Sequence, residues 1–224
     1  MQKNESSISL PWGQIDTVLL DMDGTLLDLH FDNHFWLEYL PFHYSKKHSI
    51  SLDESKKQLE KLSSEVKGTL NWYCLDYWQD KLEIDIVKLK EDTDDKIDFR
   101  PNVINFLDYL KSKNKRIILA TNAHPKAIEL KLLRADFSEY FAELSSSHDL
   151  GYPKEERKYW EILIKQYQID PKRSLFIDDS LSVLDAASEF GIAYVLGIST
   201  PDSQKPAINC SPYTSIHDFT QLIC

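Results

Sequence analysis

Two carboxylates stand at the end of a hydrophobic run near the start of the chain. In VLLDMDGTLL (18–27), Asp21 and Asp23 follow apolar residues and precede Gly24-Thr25, which allows the backbone to turn tightly. A buried carboxylate is costly unless it is paired. Two of them beside a turn suggest a cation site or a reaction, but such a pair taken alone is usually a solvated loop end, and further motifs are needed to decide.

Polar residues follow two further strand-like runs in the second half of the chain. Thr121-Asn122 come after residues 115–120, and Asp178-Asp179 come after residues 174–177. A third apolar run covers 192–196, and helix-like stretches separate these runs at 101–111, 125–133, 155–167 and 181–190. Such alternation predicts βαβ units and a parallel sheet, with chemistry at the carboxyl ends of its strands.

Residues 28–97 interrupt this alternation with helical patterns. Ser51 and Glu54 form a capping-box pattern, residues 71–82 resemble one amphipathic helix, and the charged run 91–96 suggests a solvated hinge. We therefore predict an α/β fold: a Rossmann-like parallel sheet with helices on both faces, formed by residues 1–27 and 98–224. An α-helical cap inserted at 28–97 completes the prediction. A short element is expected at 215–222.

Composition excludes several classes of function. The net charge of −10 argues against a nucleic-acid polymer as partner, and no apolar run reaches the ~18 residues of a membrane span. The N-terminus does not resemble a secretory signal, and the three cysteines show no paired metal-ligand spacing. We therefore predict a cytoplasmic protein with reduced thiols. An anionic substrate would need a metal ion and a lysine to reverse the local field.

Four motifs in order resemble the haloacid dehalogenase-like hydrolases, in the branch with a small helical cap. They are DMDGTL (21–26), Thr121 of IILATN, Lys154 of GYPK, and FIDDS (176–180). The resemblance spans essentially the whole chain and implies Mg²⁺-dependent phosphomonoester hydrolysis. Asp21 would be the nucleophile that forms an aspartyl-phosphate, and Asp23 the acid and base. An acid at position 23 favours phosphoryl transfer over dehalogenation.

The same resemblance implies the remaining site residues. Mg²⁺ would bind an Asp21 oxygen, the Asp23 backbone carbonyl and Asp179, with Asp178 through water, although either of the last two could be the direct ligand. Thr121, the Asn122 amide and Lys154 would hold the phosphate oxygens. Glu155 stands where many relatives carry proline, so Lys158, one turn further on, remains an alternative to Lys154.

The cap segments FDNHFW (31–36) and TLNWYCLDYW (69–78) also resemble bacterial nucleotidases of this family that act on GMP and IMP. A purine nucleoside monophosphate is therefore the implied substrate. Candidate leaving-group contacts are Asp32, Trp36, Trp72 and Tyr73. The aromatic residues of 72–78 could instead form a core between cap helices, an interpretation that we favour. His30 and His34 are interpreted as ordinary cap residues, because carboxylates already suit a hard cation.

Two alternatives remain open. A sugar phosphatase or phosphomutase of the same superfamily would use the same four motifs. A catalytically silent binding module would keep the fold but have an eroded motif, and none is eroded here.

Overall fold

A six-stranded parallel sheet lies at the centre of the computed structural model, which describes residues 7–223. Its strands are β1 (Thr17–Leu20), β2 (Arg116–Thr121), β3 (Glu143–Ser146), β4 (Ser174–Asp178), β5 (Tyr194–Ile198) and β6 (Ser215–Ile216). Their spatial order is β3-β2-β1-β4-β5-β6, so β1 lies between β2 and β4. Leu20 is in register with Leu119 on one side and Ile177 on the other. The predicted parallel sheet is confirmed.

The segment between β1 and β2 begins with a run of short helices. They are α1 (His30–His34), α2 (Leu40–His48), α3 (Leu52–Val66), α4 (Leu70–Tyr73), α5 (Leu75–Leu82) and α6 (Ile86–Glu91). A π-helical stretch, Phe35–Tyr39, joins α1 to α2 without a break. Ser51 caps α3 by accepting a hydrogen bond from the Glu54 amide, as the capping pattern predicted. These helices bury an apolar cluster of their own, which includes Phe35, Leu59 and Trp78.

The prediction of one helix over 71–82 was wrong. The chain leaves helical geometry at Cys74, whose φ of −84° and ψ of 111° are extended, and α5 then starts anew. The Cys74 Sγ accepts a hydrogen bond from the Tyr77 amide, so the thiol caps the second helix. Periodicity alone did not reveal this break, because cysteine is an unusual cap.

Five helices follow the inserted segment: α7 (Val103–Ser112), α8 (Pro125–Arg134), α9 (Ser147–Leu150), α10 (Arg157–Tyr167) and α11 (Leu181–Phe190). Side chains alternate across β1, so Leu20 joins one apolar cluster with Phe106 of α7, while Leu19 joins another with Trp160 of α10. The sheet is therefore buried on both faces, which explains its near-continuous apolar strands.

Other boundaries differ modestly from prediction. Helices α7 and α10 begin two residues later than expected, and β5 lies two residues further along than 192–196. The charged run 91–96 contains a 3₁₀ turn, Asp94–Lys96, and buries Thr93, so it is more than a solvated hinge. Residues 215–222 form β6 and a 3₁₀ turn, Phe219–Leu222.

Between residues 7 and 223, no helix has both the length and the apolar character that crossing a bilayer requires. The prediction about the N-terminus falls partly on residues 1–6, and Cys224 ends the chain; both lie outside the described residues.

Candidate active site

The candidate nucleophile lies at the carboxyl edge of the sheet together with a buried lysine. Asp21 directly follows β1, and Asp178 is the last residue of the neighbouring strand β4. Lys154 Nζ bridges them, at 2.5 Å from Asp21 Oδ1 and 2.6 Å from Asp178 Oδ2, and also donates to the Ala120 carbonyl at 3.0 Å. Parallel pairing brings these strand ends together, although the residues are far apart in the sequence.

The loop between α9 and α10 fixes the position of Lys154. Its backbone amide donates to Asn122 Oδ1 at 2.9 Å, and its carbonyl accepts from Trp160 Nε1 at 2.8 Å. Lys158, the alternative left open by the sequence, is about half exposed and pairs with Glu161. The structure therefore brings Lys154, and not Lys158, to the carboxylates.

Burial changes the pKa values of the carboxylates at this edge of the sheet. Burial raises the pKa of Asp21 to about 6, with the Lys154 ammonium opposing and the Asp178 charge reinforcing the shift. The pKa of Asp179 is raised well above its usual value by burial and by the charges of Asp178 and Asp21. Burial works against the charge of Lys154, yet Asp178 and Asp21 raise its pKa well above normal. Three carboxylates therefore share one lysine, and further positive charge would stabilise their ionised forms.

These carboxylates suit a hard divalent cation. Oxygen atoms of Asp21, Asp178 and Asp179 lie within 4.8 Å of one another. Asp178 is already engaged by Lys154 and by the Ser180 amide, at 2.8 Å, whereas Asp179 borders the cavity. An all-oxygen donor set with excess negative charge fits Mg²⁺.

Gly24 allows Asp179 to approach the turn after β1. Its φ is +81°, and a Cβ at this position would lie 2.6 Å from Asp179 Oδ2. Any side chain here would displace that carboxylate, so the glycine of the DMDG motif has a steric role in the candidate metal site as well as a conformational one.

Asp23 belongs to a charged network that sequence reasoning missed. Lys131 of α8 donates to Asp23 Oδ1 and to Asp32 Oδ2, both at 2.6 Å, and Lys90 of α6 donates to the other Asp32 oxygen at 2.8 Å. Burial raises the pKa of Asp23 to about 6, although Lys131 opposes the shift. Burial would also raise the pKa of Asp32, but the two lysines hold it well below normal.

Asp32 therefore uses both oxygens to hold lysines, and it links the inserted helices to the candidate acid. The sequence offered one signal for this network, a lysine at position 131 among the leucines of α8. The structure buries Lys131, which is rare for a lysine unless it is paired.

The remaining predicted phosphate-binding residues lie on the loop after β2. Thr121 is buried, with Oγ1 accepting from the Ala123 amide at 3.1 Å. The Asn122 side chain donates to Glu155 Oε2 at 3.0 Å, and Tyr73 donates its hydroxyl hydrogen to Glu155 Oε1 at 2.6 Å. Glu155, which the sequence analysis treated only as a departure from the family, thus joins the β2 loop to the inserted helices.

A cavity of about 1030 Å³ connects the carboxylates to the inserted helices. Its lining includes Asp21, Asp23, Thr121, Lys154 and Asp179 at one end, and Asp32, Trp36, Trp72, Tyr73 and Trp78 at the other.

The aromatic cluster of 72–78 divides between two roles. Trp78 is 4% exposed and belongs to the apolar cluster of the inserted helices, with Tyr77 packed against it. Trp72 and Tyr73 are partly exposed and line the cavity. The predicted core interpretation therefore applies to Tyr77 and Trp78 only. His30 lies 3.8 Å from Asp202 and His34 lies 3.1 Å from Glu38, as ordinary cap residues would.

Comparison with known proteins agrees with this geometry. The family model described as haloacid dehalogenase-like hydrolase matches residues 15–191. The GMP/IMP nucleotidase YrfG of Escherichia coli K12 is 40% identical over 216 residues, covering 96% of this chain and 97% of that protein. A HAD phosphatase from Thermococcus onnurineus has a similar structure, with a TM-score of 0.76, 22% identity, and coverage of 92% and 95%. The HAD-hydrolase YfnB of Bacillus subtilis, solved bound to magnesium, has a TM-score of 0.65 and 18% identity. The match covers 92% of this chain and 96% of that one.

The chain belongs to the haloacid dehalogenase-like hydrolase family. Within that family it is an enzyme that hydrolyses phosphate monoesters.

Proposed function

We propose that this phosphatase is a Mg²⁺-dependent purine 5′-nucleotidase that releases phosphate from GMP or IMP. The observation that carries the proposal is the single cavity that joins Asp21 and Lys154 to the aromatic side chains of Trp36 and Trp72. The 40% identity to a GMP/IMP nucleotidase, which extends over 96% of this chain, supports the same substrate class. The cytoplasmic location stays a prediction from the sequence.

The first chemical step forms a bond between an Asp21 oxygen and phosphorus while the ester bond to the leaving oxygen breaks. The bonding electrons go to that oxygen, and Asp23 donates a proton to it. A pKa near 6 suits Asp23 to this exchange, since the group can hold and release a proton close to neutral pH. The products of this step are the free nucleoside and an aspartyl-phosphate.

The second step releases inorganic phosphate. Asp23, now ionised, removes a proton from water, the water oxygen attacks phosphorus, and the bond to Asp21 breaks to regenerate the carboxylate. Throughout both steps Lys154, Thr121 and the Asn122 amide hold the non-bridging oxygens. Lys154 is buried, so its charge acts with little screening from solvent.

Mg²⁺ held by Asp21, Asp179 and the Asp23 carbonyl, with Asp178 beside them, would offset the negative charge that builds up on the transferring group. The three carboxylates and the Gly24 turn support this assignment.

The leaving nucleoside would lie against the inserted helices. Trp36, Trp72 and Tyr73 line the cavity, and stacking one base on an aromatic side chain is typically worth ~1–3 kcal/mol. Asp32 lies on the same wall of the cavity, and it would affect catalysis indirectly, because its ion pair with Lys131 connects it to Asp23.

Phosphate release is measured with Mg²⁺ and a panel of GMP, IMP, AMP, a sugar phosphate and 4-nitrophenyl phosphate. We expect the highest kcat/KM for GMP and IMP, with Asp21→Asn lowering kcat by more than about 10⁴-fold, as loss of a nucleophile does elsewhere.

Preference for the sugar phosphate would overturn the nucleotidase proposal in favour of the sugar phosphatase. Return of the phosphoryl group to a sugar before water captures it would identify a phosphomutase. No release from any substrate would favour the silent binding module.

A further inference from the structure

A second group of potential metal ligands lies apart from the carboxylate centre. Cys74 Sγ and ring nitrogens of His124 and His148 lie within 4.8 Å of one another. The three residues come from separate segments: the break between α4 and α5, the N-cap of α8, and α9. The two imidazole centroids are 4.8 Å apart and the rings meet edge to face.

Each histidine of this group keeps a ring nitrogen that could bind a ligand. His148 Nε2 is buried and has no hydrogen-bond partner among the described residues. His124 Nδ1 accepts from the Lys126 amide at 3.3 Å, so Nε2, which Asp76 Oδ2 approaches at 3.7 Å, is the nitrogen that would bind a metal. Leaving a buried nitrogen unpaired is unfavourable, and a metal bound at this position would remove that cost.

The donor set distinguishes this group from the magnesium site. Thiolate and imidazole ligands suit Zn²⁺, whereas Mg²⁺ takes oxygen ligands. Asp76 Oδ2 lies 3.7 Å from His124 Nε2, so a carboxylate or a water is at hand for the fourth position of a tetrahedral centre.

We propose that Cys74, His124 and His148 form a Zn²⁺ site separate from the catalytic carboxylates. Binding replaces the Cys74 thiol proton with the metal, and each imidazole contributes a neutral nitrogen. The three ligand atoms lie within 4.8 Å of one another, and in a tetrahedral zinc centre the side chains would bring them somewhat closer.

The bound ion would join the inserted helices to the core. Cys74 follows Tyr73, whose hydroxyl already reaches Glu155, and it lies two residues before Asp76, which pairs with Lys126 at 2.7 Å. A Zn²⁺ ion here adds coordinate bonds to this contact at the edge of the cavity, where His124 is a lining residue.

Titration with Co²⁺, a spectroscopic substitute for Zn²⁺, tests the site directly. The protein is held in excess Mg²⁺, which fills the oxygen site and leaves only soft ligands available. We expect one Co²⁺ per chain and a thiolate-to-cobalt charge-transfer band, both removed by excess Zn²⁺.

Cys74→Ser is the informative variant, because a serine hydroxyl keeps the cap on the Tyr77 amide while removing the soft ligand. Loss of a hydrogen-bond partner of a ligand typically costs 10–100-fold in affinity, so loss of the ligand itself should exceed about 10-fold. Cys210→Ser, which changes a buried thiol near Gly197, is the matched control and should keep the band.

Thermal unfolding gives a second readout. Zn²⁺ in excess Mg²⁺ should raise the midpoint of the wild type and of Cys210→Ser but not of Cys74→Ser or His148→Gln. A missing charge-transfer band, or a band of equal strength in Cys74→Ser, overturns the proposal.

Discussion

Lys131 donates a hydrogen bond from Nζ to Oδ1 of Asp23 over 2.6 Å. The same ammonium binds Asp32 at 2.6 Å, and it is 2% exposed while the two carboxylates are 22% and 18% exposed. One buried charge therefore sets the orientation of the candidate acid and attaches it to helix α1.

Lys131→Met should impair both turnover and stability. Removing one partner of a buried ion pair typically costs ~3–5 kcal/mol, and we expect about 3 because both carboxylates are partly exposed. General acid catalysis supplies ~10²–10⁴-fold, and loss of the orientation of Asp23 should cost about 10–100-fold in kcat. Urea unfolding and steady-state kinetics measure the two effects.

Lys126→Met is the control for that substitution, since Lys126 lies on the same helix but is about half exposed. It should change the free energy of unfolding by less than ~1 kcal/mol. If both variants lost the same free energy of unfolding and the same kcat, the ion pairs of Lys131 would contribute no more than an exposed pair does.

Gly24→Ala should weaken Mg²⁺ binding selectively. The new Cβ would meet Asp179 Oδ2 at 2.6 Å, so the carboxylate must move away from the candidate metal site. We expect the Mg²⁺ concentration for half-maximal activity to rise at least ~10-fold.

Gly151→Ala is matched to it, because Gly151 has a φ of +78° but nothing within 4 Å of an added Cβ. Both variants bear the ~1–2 kcal/mol cost of a left-handed alanine, so only the displacement of Asp179 distinguishes them. An unchanged Mg²⁺ requirement in Gly24→Ala would contradict the assignment of Asp179.

Trp72→Ala and Trp78→Ala should separate binding from stability. Trp72 lines the cavity outside the apolar clusters, so its loss should raise KM for GMP about 5–150-fold, equivalent to ~1–3 kcal/mol of stacking, with little change in the unfolding midpoint. Trp78 is 4% exposed, and its truncation should cost about 3–5 kcal/mol. An equal loss of affinity for GMP and for a sugar phosphate, which carries no base, would argue against stacking.

Asp202 gives a prediction for pH dependence. Burial opposes its charge, but hydrogen bonds from the Gln204 amide, at 2.9 Å, and from the Asn33 side chain, at 2.6 Å, hold its pKa below the usual value. A carboxylate with a lowered pKa in the folded state stabilises the protein above the unfolded pKa, ~3.9, and less as pH falls below it. Asp202→Asn should therefore cost about 2 kcal/mol at pH 7 and progressively less toward pH 3.

Urea midpoints at pH 7, 4 and 3 test this dependence, with the exposed Asp80→Asn as reference. If the loss of stability in Asp202→Asn were the same at all three pH values, the ionised carboxylate of Asp202 would not be its source.

The elements best predicted from sequence are those whose signals are local. The runs ending at Asp21, Thr121 and Asp178 are apolar because β1, β2 and β4 are buried on both faces, so their strand ends could be located. Strand β3, Glu143–Ser146, was missed because it is short, lies at the edge of the sheet and carries serines. Its hydrogen-bonded pairing with β2 stabilises the strand, although its own residues have low strand propensity.

Other parts of the site depend on contacts between residues distant in sequence. The network joining Lys131 to Asp23 spans 108 residues, and no spacing rule connects them. The choice between Lys154 and Lys158 likewise needed the loop geometry that Asn122 imposes.

The continuous helix from α1 through the π-helical stretch carries Asp32 and Trp36 four residues apart, and both face the cavity. Through Lys131, Asp32 is attached to the acid, while Trp36 borders the space proposed for the departing group. Because the same helix carries both residues, a tilt of the helix that made room for a differently shaped substrate would also shift Asp32, and through Lys131 it would move Asp23 out of position for proton transfer. Evolution toward new substrates in this scaffold should therefore alter turnover number and selectivity together, rather than exchanging one recognition pocket for another.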